Sequence, residues 1–181
     1  MAIGTGQMKR LMKEMNDLKE YENISKLELV YPCKDDKLVN GENKEYVSNK
    51  LPYFRIKIDN NELIVAFKDD YPFKPPVLLI NNIRSYFCYK ISESKSNIFA
   101  QAALIEMKRK YGHMCLCCES MICPGSGSWS PAHRIQHVLN EYKRNKEIKK
   151  YLNSYCALLQ LNACMDYMLP TEMIEKIRDY L

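Results

Sequence analysis

Residues 53–67, with the sequence YFRIKIDNNELIVAF, decide the fold of this chain. Residues 53–58 alternate apolar and polar side chains, which predicts a β-strand with one buried face. The segment 59–61 is Asp-Asn-Asn, a composition that favours a turn. Residues 62–67 are again strand-forming, so the whole stretch predicts a β-hairpin.

The segments on either side of this hairpin extend it into a sheet. Residues 25–31 (SKLELVY) alternate and predict a first strand that ends at Pro32. Residues 77–80 are fully apolar and predict a fourth strand. The intervening DYPFKPP, residues 70–76, is too rich in proline for a helix or an inner strand. This order predicts a four-stranded antiparallel meander.

Helices are predicted before and after the sheet. Residues 5–21 have apolar side chains at i, i+3 and i+4, which is typical of an amphipathic helix. A second helix is predicted at 96–112, where Ser96 can cap the start and Gly112 can end it.

The C-terminal part of the chain predicts further helices. One opens at Trp129-Ser-Pro-Ala, because Ser130 can cap it and the ring of Pro131 suits its first turn. Residues 152–168 and 169–181 predict two more helical segments. The fold class is therefore α+β, with helices packed on an antiparallel sheet.

Length and composition set broad limits. The 181 residues can bury a core, and we predict a domain over 1–150, with a helical insertion at about 89–112, and a helical extension over 151–181. A net charge of +5 without an arginine-rich run predicts no nucleic-acid partner. No apolar stretch is long enough to cross a bilayer, which predicts no membrane partner. Eight cysteines without an apolar signal core predict a reducing compartment, the cytoplasm or the nucleus.

Four cysteines lie within nine positions just ahead of the Trp-Ser-Pro-Ala segment: Cys115, Cys117, Cys118 and Cys123. Thiols on irregular backbone can serve as a nucleophile or as metal ligands. Together with His113 they offer enough ligands for tetrahedral zinc, although the usual paired Cys-x2-Cys spacing is missing. At least two of the thiols can equally be small buried side chains. The residues alone leave these alternatives open.

Three blocks of the sequence together resemble the ubiquitin-conjugating enzymes. MKRLMKEMNDL at 8–18 looks like the opening helix of that family. DYPFKPP at 70–76 matches its proline-rich segment after the third strand, and WSPAHRIQHVL at 129–139 matches its Trp-Ser-Pro-Ala helix start. The resemblance covers roughly residues 5–145 and implies the ubiquitin-conjugating fold. The related RWD-type modules share that fold but have a differently spaced proline motif.

The resemblance implies a transthiolation reaction. In this family a cysteine takes ubiquitin or a ubiquitin-like modifier from an activating enzyme as a thioester, then passes it to a lysine, often with a RING-type ligase. Aligning residues 120–122 on the family's Asp and two aliphatic residues places Cys118 at the nucleophile. Aligning residues 112–116 on the family's Gly-x-Ile-Cys-Leu places Cys115 there instead. We favour Cys118, and no cofactor or catalytic metal is implied.

The resemblance also implies a surface that binds the ligase and the activating enzyme. Its residues here are Lys9, Arg10, Lys13, Phe73, Pro131 and Ala132. An alternative for Phe73 is that its ring packs against the sheet.

One motif of the family is missing. The chain contains no His-Pro-Asn, whose Asn amide is the usual partner of the oxyanion. The donor must then come from a backbone N–H, Tyr86, Asn81 or Asn82, or the thioester chemistry is impaired. Two further functions therefore stay open, a catalytically inactive binding module of the same fold and a zinc-stabilised scaffold protein.

Overall fold

The chain forms two compact units, Met1–Phe87 with Cys117–Glu141 (unit 1) and Cys88–Leu116 with Tyr142–Leu181 (unit 2). Each unit is described by itself. The structure, a computed structural model, describes residues 4–31, 51–81, 83–84, 98–112, 116, 119–123, 127–164 and 169–180.

Unit 1 is built on an antiparallel sheet in which each strand pairs with the next one along the chain. The predicted four-stranded meander is confirmed, and a strand of two residues adds a fifth. That strand was not predicted, because two residues are too few to show a periodic pattern. The strands are β1 (Ile24–Val30), β2 (Tyr53–Ile58), β3 (Asn61–Ala66), β4 (Val77–Ile80) and β5 (Ile83–Arg84).

The predicted hairpin is the centre of this sheet. Tyr53 pairs with Ala66 and Ile58 pairs with Asn61, which leaves a turn of two residues between β2 and β3. Asp59 adopts a φ of 52° in that turn, a conformation that Asp tolerates better than most residues. Both faces of the sheet are buried at this point: the sequence Leu-Ile-Val-Ala of β3, residues 63–66, is buried throughout.

The described part of the chain contains four helices, which confirm an α+β fold with an N-terminal helix and C-terminal helices: α1 (Thr5–Lys19), α2 (Ile98–Tyr111), α3 (Ile135–Cys164) and α4 (Thr171–Tyr180). The helix predicted to open at Pro131 begins instead at Ile135, and residues 131–132 form a turn. No described helix combines the length and apolarity that a bilayer-spanning segment requires.

Unit 2 contains a buried carboxylate that joins three helices. Glu106 of α2 is 4% exposed. It accepts hydrogen bonds of 2.8 Å from both Nε and Nη2 of Arg109, and one of 2.6 Å from the hydroxyl of Tyr151 in α3. The guanidinium of Arg178 in α4 lies 3.9 Å away. The hydrogen bonds from Arg109, helped by that from Tyr151, hold the pKa of Glu106 below its usual value despite its burial.

We expect this carboxylate to make unit 2 sensitive to acid. Because the folded pKa is lowered, ionised Glu106 stabilises the fold above its unfolded pKa of about 4.3. That contribution is lost as the pH falls through the folded pKa. Thermal unfolding followed by circular dichroism should show Glu106→Gln less stable than the wild type at neutral pH. Its melting temperature should also fall less on acidification below about pH 4. Parallel acid profiles for the two proteins would contradict this.

Candidate functional site

Two loops of unit 1 are joined through the side chain of Trp129. We call residues 70–76 the proline loop and residues 127–134 the tryptophan loop. The indole Nε1–H of Trp129 donates a hydrogen bond of 2.8 Å to the carbonyl oxygen of Pro72. The Trp129 ring also lies against that of buried Tyr71, with 6.2 Å between centroids. The two loops therefore hold a fixed position relative to each other.

Aromatic packing fixes the proline loop on the sheet. Tyr71 contacts Phe67 with a centroid distance of 4.7 Å, and Phe67 meets Phe54 of β2 edge-on at 5.2 Å. Phe54 is fully buried. Because such pairs contribute beyond the area that they bury, the loop is anchored to the core of unit 1.

Phe73 lies exposed on this anchored loop. Its side chain is 75% exposed, so the alternative in which the ring packs against the sheet is wrong. The backbone N–H of Phe73 donates a hydrogen bond of 2.8 Å to the carbonyl oxygen of Asp70. The Asp70 carboxylate in turn pairs with Lys74 Nζ at 2.5 Å. Contacts with Asp70 therefore hold the loop backbone at Phe73 and at Lys74, and the aromatic ring of Phe73 extends into solvent.

A buried carboxylate of α1 connects the proline loop to the start of α3. Glu14 is 1% exposed. Its Oε1 accepts hydrogen bonds from Arg10 Nε at 2.8 Å and from the Tyr71 hydroxyl at 3.0 Å. Its Oε2 accepts one of 3.0 Å from the backbone N–H of Ile135, the first residue of α3. Burial and the charge of Glu14 together raise the pKa of Tyr71, which therefore stays a hydrogen-bond donor.

This contact explains why α3 begins later than predicted. The first N–H groups of a helix have no partner within it, and a negative charge there is favourable. Glu14 supplies that charge at Ile135, and the ring Nδ1 of His137 accepts from the backbone N–H of Arg134 at 2.9 Å. Ser130 does not cap the helix as predicted, because its backbone is engaged in a turn with His133.

Further contacts tie α1 to the tryptophan loop. Arg10 Nη2 donates a hydrogen bond of 2.8 Å to the carbonyl oxygen of His133. Arg134 Nη1 forms an ion pair of 2.5 Å with Asp17 Oδ2. Arg10, one of the predicted surface residues, is therefore held within unit 1 by Glu14 and His133. Its predicted contact with the activating enzyme stays a prediction.

The structure places the predicted docking residues on three joined elements. Lys9 and Lys13 are exposed on α1, Phe73 is exposed on the proline loop, and Pro131 and Ala132 are exposed on the tryptophan loop. The bonds from Trp129 to Pro72 and from Arg10 to His133 connect these elements. We call these five exposed residues the docking surface, and its role in binding stays a prediction.

The cysteine cluster is described only at its C-terminal end. The candidate nucleophiles Cys118 and Cys115 lie outside the described residues, as do Cys117 and His113. Residues 119–123 are held to α3, because the Met121 N–H donates a hydrogen bond of 2.9 Å to Glu141 Oε2. Within the described ranges no group of three His, Cys, Asp or Glu side chains could hold a metal ion. Because most of the cluster lies outside those ranges, zinc binding stays one of the alternatives that the sequence leaves open.

Of the candidate oxyanion donors, Asn81 is described, whereas Tyr86 and Asn82 lie outside the described residues. Asn81 adopts a φ of 50° just after β4. Its side-chain oxygen accepts from the backbone N–H of Glu62, and its Nδ2 donates to Asn61 Oδ1, both at 3.0 Å. Because its amide is oriented by β3 at both ends, a structural role is favoured over an oxyanion partner.

Sequence reasoning missed the connecting role of Glu14. A signal existed, because Glu14 follows Leu11 by three residues and precedes Leu18 by four, so it shares their buried face. A charged residue at such a position must be paired. Its partners, however, lie in loops far along the chain, and spacing within one helix does not reveal them.

Comparisons with known proteins add no relative. A scan against protein-family models, a search of curated proteins and a search of solved structures each found no match to this chain. Membership of the ubiquitin-conjugating enzymes is therefore a proposal. It is based on the sequence blocks and on the geometry described above.

Proposed function

We propose that this chain is a divergent ubiquitin-conjugating enzyme. It accepts ubiquitin or a ubiquitin-like modifier as a cysteine thioester and transfers the modifier to a lysine with a RING-type ligase. The observation that carries the proposal is the exposed Phe73 on a loop bonded, through Pro72 and Trp129, to the loop of Pro131 and Ala132. These are the positions that the resemblance assigns to ligase binding.

In the proposed reaction the thiolate of Cys118 attacks the thioester carbonyl that links the modifier to the activating enzyme. The tetrahedral intermediate collapses and releases the activating enzyme's thiolate. The amine of a substrate lysine then attacks the new thioester, an isopeptide bond forms, the amine loses its proton and the Cys118 thiolate departs. Thiols are strong nucleophiles and are partly ionised at neutral pH, so the reaction needs little further acid–base machinery. Cys115 is the alternative nucleophile.

The docking surface suits a partner with an apolar pocket and acidic residues beside it. An exposed aromatic ring on a braced loop loses little conformational entropy when it enters such a pocket. The exposed Lys9 and Lys13 on α1 add positive charge that favours approach of an acidic partner. Binding energy would then centre on Phe73, with the lysines acting mainly on the rate of association.

We expect Phe73→Ala to weaken binding to a cognate RING domain by at least about tenfold, as truncation of a central aromatic anchor does. The melting temperature of Phe73→Ala should equal that of the wild type, because the Phe73 side chain is mostly exposed. Isothermal titration calorimetry against a panel of RING domains identifies a cognate domain. The affinities of the wild type and the variants for that domain are then compared. Tyr31→Ala is the matched control, since it also removes an exposed aromatic ring from unit 1. Equal affinity of wild type and Phe73→Ala would contradict the docking surface.

A catalytically inactive binding module of the same fold is the second candidate. It is favoured by the missing His-Pro-Asn and by the use of the Asn81 amide within the sheet. Such a module would keep the docking surface and bind the same ligases. It would not form a thioester, and that property distinguishes it from the enzyme.

A further inference from the structure

The positive charge of the chain is concentrated in two segments of unit 2. Residues 106–111 and 142–151 together contain eight lysines and arginines but two glutamates, a balance of +6. The whole chain has a net charge of +5, so all its other residues together sum to −1. We call the eight basic residues the basic band: Lys108, Arg109, Lys110, Lys143, Arg144, Lys146, Lys149 and Lys150.

Direct contacts bring the two segments of the basic band together. Lys110 Nζ, at the end of α2, lies 3.4 Å from the centre of the Tyr151 ring in α3. Tyr111 meets the same ring edge-on, with 6.3 Å between centroids. The Tyr151 hydroxyl donates to Glu106, one turn earlier in α2. The basic end of α2 is therefore fixed beside the basic middle of α3.

Three of the four lysines of α3 share one face of the helix. Lys143, Lys146 and Lys150 recur at i, i+3 and i+7, a spacing that aligns side chains along a helix. Lys146 and Lys150 are exposed and Lys143 is half-buried. Ile148 and Leu152 belong to the opposite face and are buried. Lys143, Lys146 and Lys150 therefore lie along one side of α3.

We propose that the basic band is a binding site for an acidic polypeptide segment. Six of its eight residues are lysines, whose compact ammonium groups attract carboxylates without the planar, two-pronged geometry of a guanidinium group. The guanidinium of Arg109 has that geometry, but it already donates two hydrogen bonds to Glu106.

The aromatic rings beside the band also favour a polypeptide over a single-stranded nucleic acid. Single strands bind largely by stacking their bases on accessible rings. Tyr151 is 5% exposed, Lys110 lies over its ring, and Tyr155 stacks beside it. These rings serve the packing of unit 2. The proposal is independent of the proposed enzymatic function, because it concerns none of the residues of the docking surface in unit 1.

The test compares a fluorescent polyglutamate peptide with a fluorescent DNA duplex and a single-stranded RNA of matched charge, using anisotropy at physiological salt. The full chain should bind polyglutamate more tightly than either nucleic acid, and the affinity should fall as salt rises. Replacing Lys143, Lys146 and Lys150 together by Gln should weaken binding about tenfold, since exposed charge pairs contribute modestly each. The control replaces three exposed lysines of unit 1, Lys19, Lys26 and Lys57, in the same way and should bind like the wild type.

A second measurement needs no variant. Lysines of the wild-type chain are acetylated with and without polyglutamate, and their modification is read by mass spectrometry. Protection of Lys143, Lys146 and Lys150, but not of Lys19 or Lys57, supports the proposal. Uniform protection, tighter binding of either nucleic acid, no binding of polyglutamate, or equal loss of affinity in the control variant would overturn it.

Discussion

Replacement of Glu14 by alanine should lower the free energy of unfolding of this chain by about 3–5 kcal/mol, as loss of one partner from a buried ion pair does. The substitution leaves the Tyr71 hydroxyl and the Ile135 N–H without their acceptor in the interior, and it removes the negative charge beside Arg10. Each unsatisfied buried group carries its own desolvation penalty. The loss is therefore larger than that of one hydrogen bond.

Urea denaturation of the wild type and the variant measures this effect. Glu20→Ala is the matched control, because Glu20 is an exposed glutamate at the end of the same helix. The control should change the free energy of unfolding by less than about 0.5 kcal/mol. Glu14→Gln keeps one oxygen acceptor, so its loss of unfolding free energy should lie between those of Glu14→Ala and Glu20→Ala. Losses of similar size for Glu14→Ala and Glu20→Ala would show that the buried network does not hold α1, the proline loop and α3 together.

The same network shows which parts of the fold the sequence could predict. The alternating pattern of residues 53–58 predicted β2 and its hairpin, because side chains of a strand point to opposite faces whatever lies around it. The start of α3 was predicted wrongly, because the local signal at Ser130 and Pro131 competes with a cap from α1. A partner more than a hundred residues away in the chain leaves no mark in the local pattern.

The candidate site also has features that the sequence predicted and features that it could not. The residues of the docking surface followed from motif resemblance, and the exposure of Phe73 agrees with that assignment. The bond from Trp129 to Pro72, which joins the two loops, could not be read from either motif alone. The choice between Cys118 and Cys115 depends on where the loop before Trp129 is lengthened, and the motifs on both sides of that loop allow two alignments.

The second large effect concerns Cys118. We expect Cys118→Ala to abolish formation of the thioester, because the methyl group that replaces the thiol has no lone pair to attack the carbonyl. Cys115→Ala should retain the thioester. Cys156→Ala serves as the control for general thiol loss, because Cys156 is a half-buried cysteine of unit 2, where its Sγ lies 3.6 Å from the Phe99 carbonyl oxygen. If only Cys115→Ala loses the thioester, the chain is still a conjugating enzyme, but its nucleophile is Cys115 instead of Cys118.

The most direct test of the proposed enzyme is a charging assay with the wild-type chain. The chain is mixed with ubiquitin, ATP and a ubiquitin-activating enzyme, and gels are run with and without reducing agent. The proposal predicts a band larger by one ubiquitin that reductant removes and that Cys118→Ala lacks. If the wild type gains no such band with ubiquitin or with ubiquitin-like modifiers and their own activating enzymes, the chain is not a conjugating enzyme. Binding of a RING domain through Phe73 would then identify it as an inactive module of that fold.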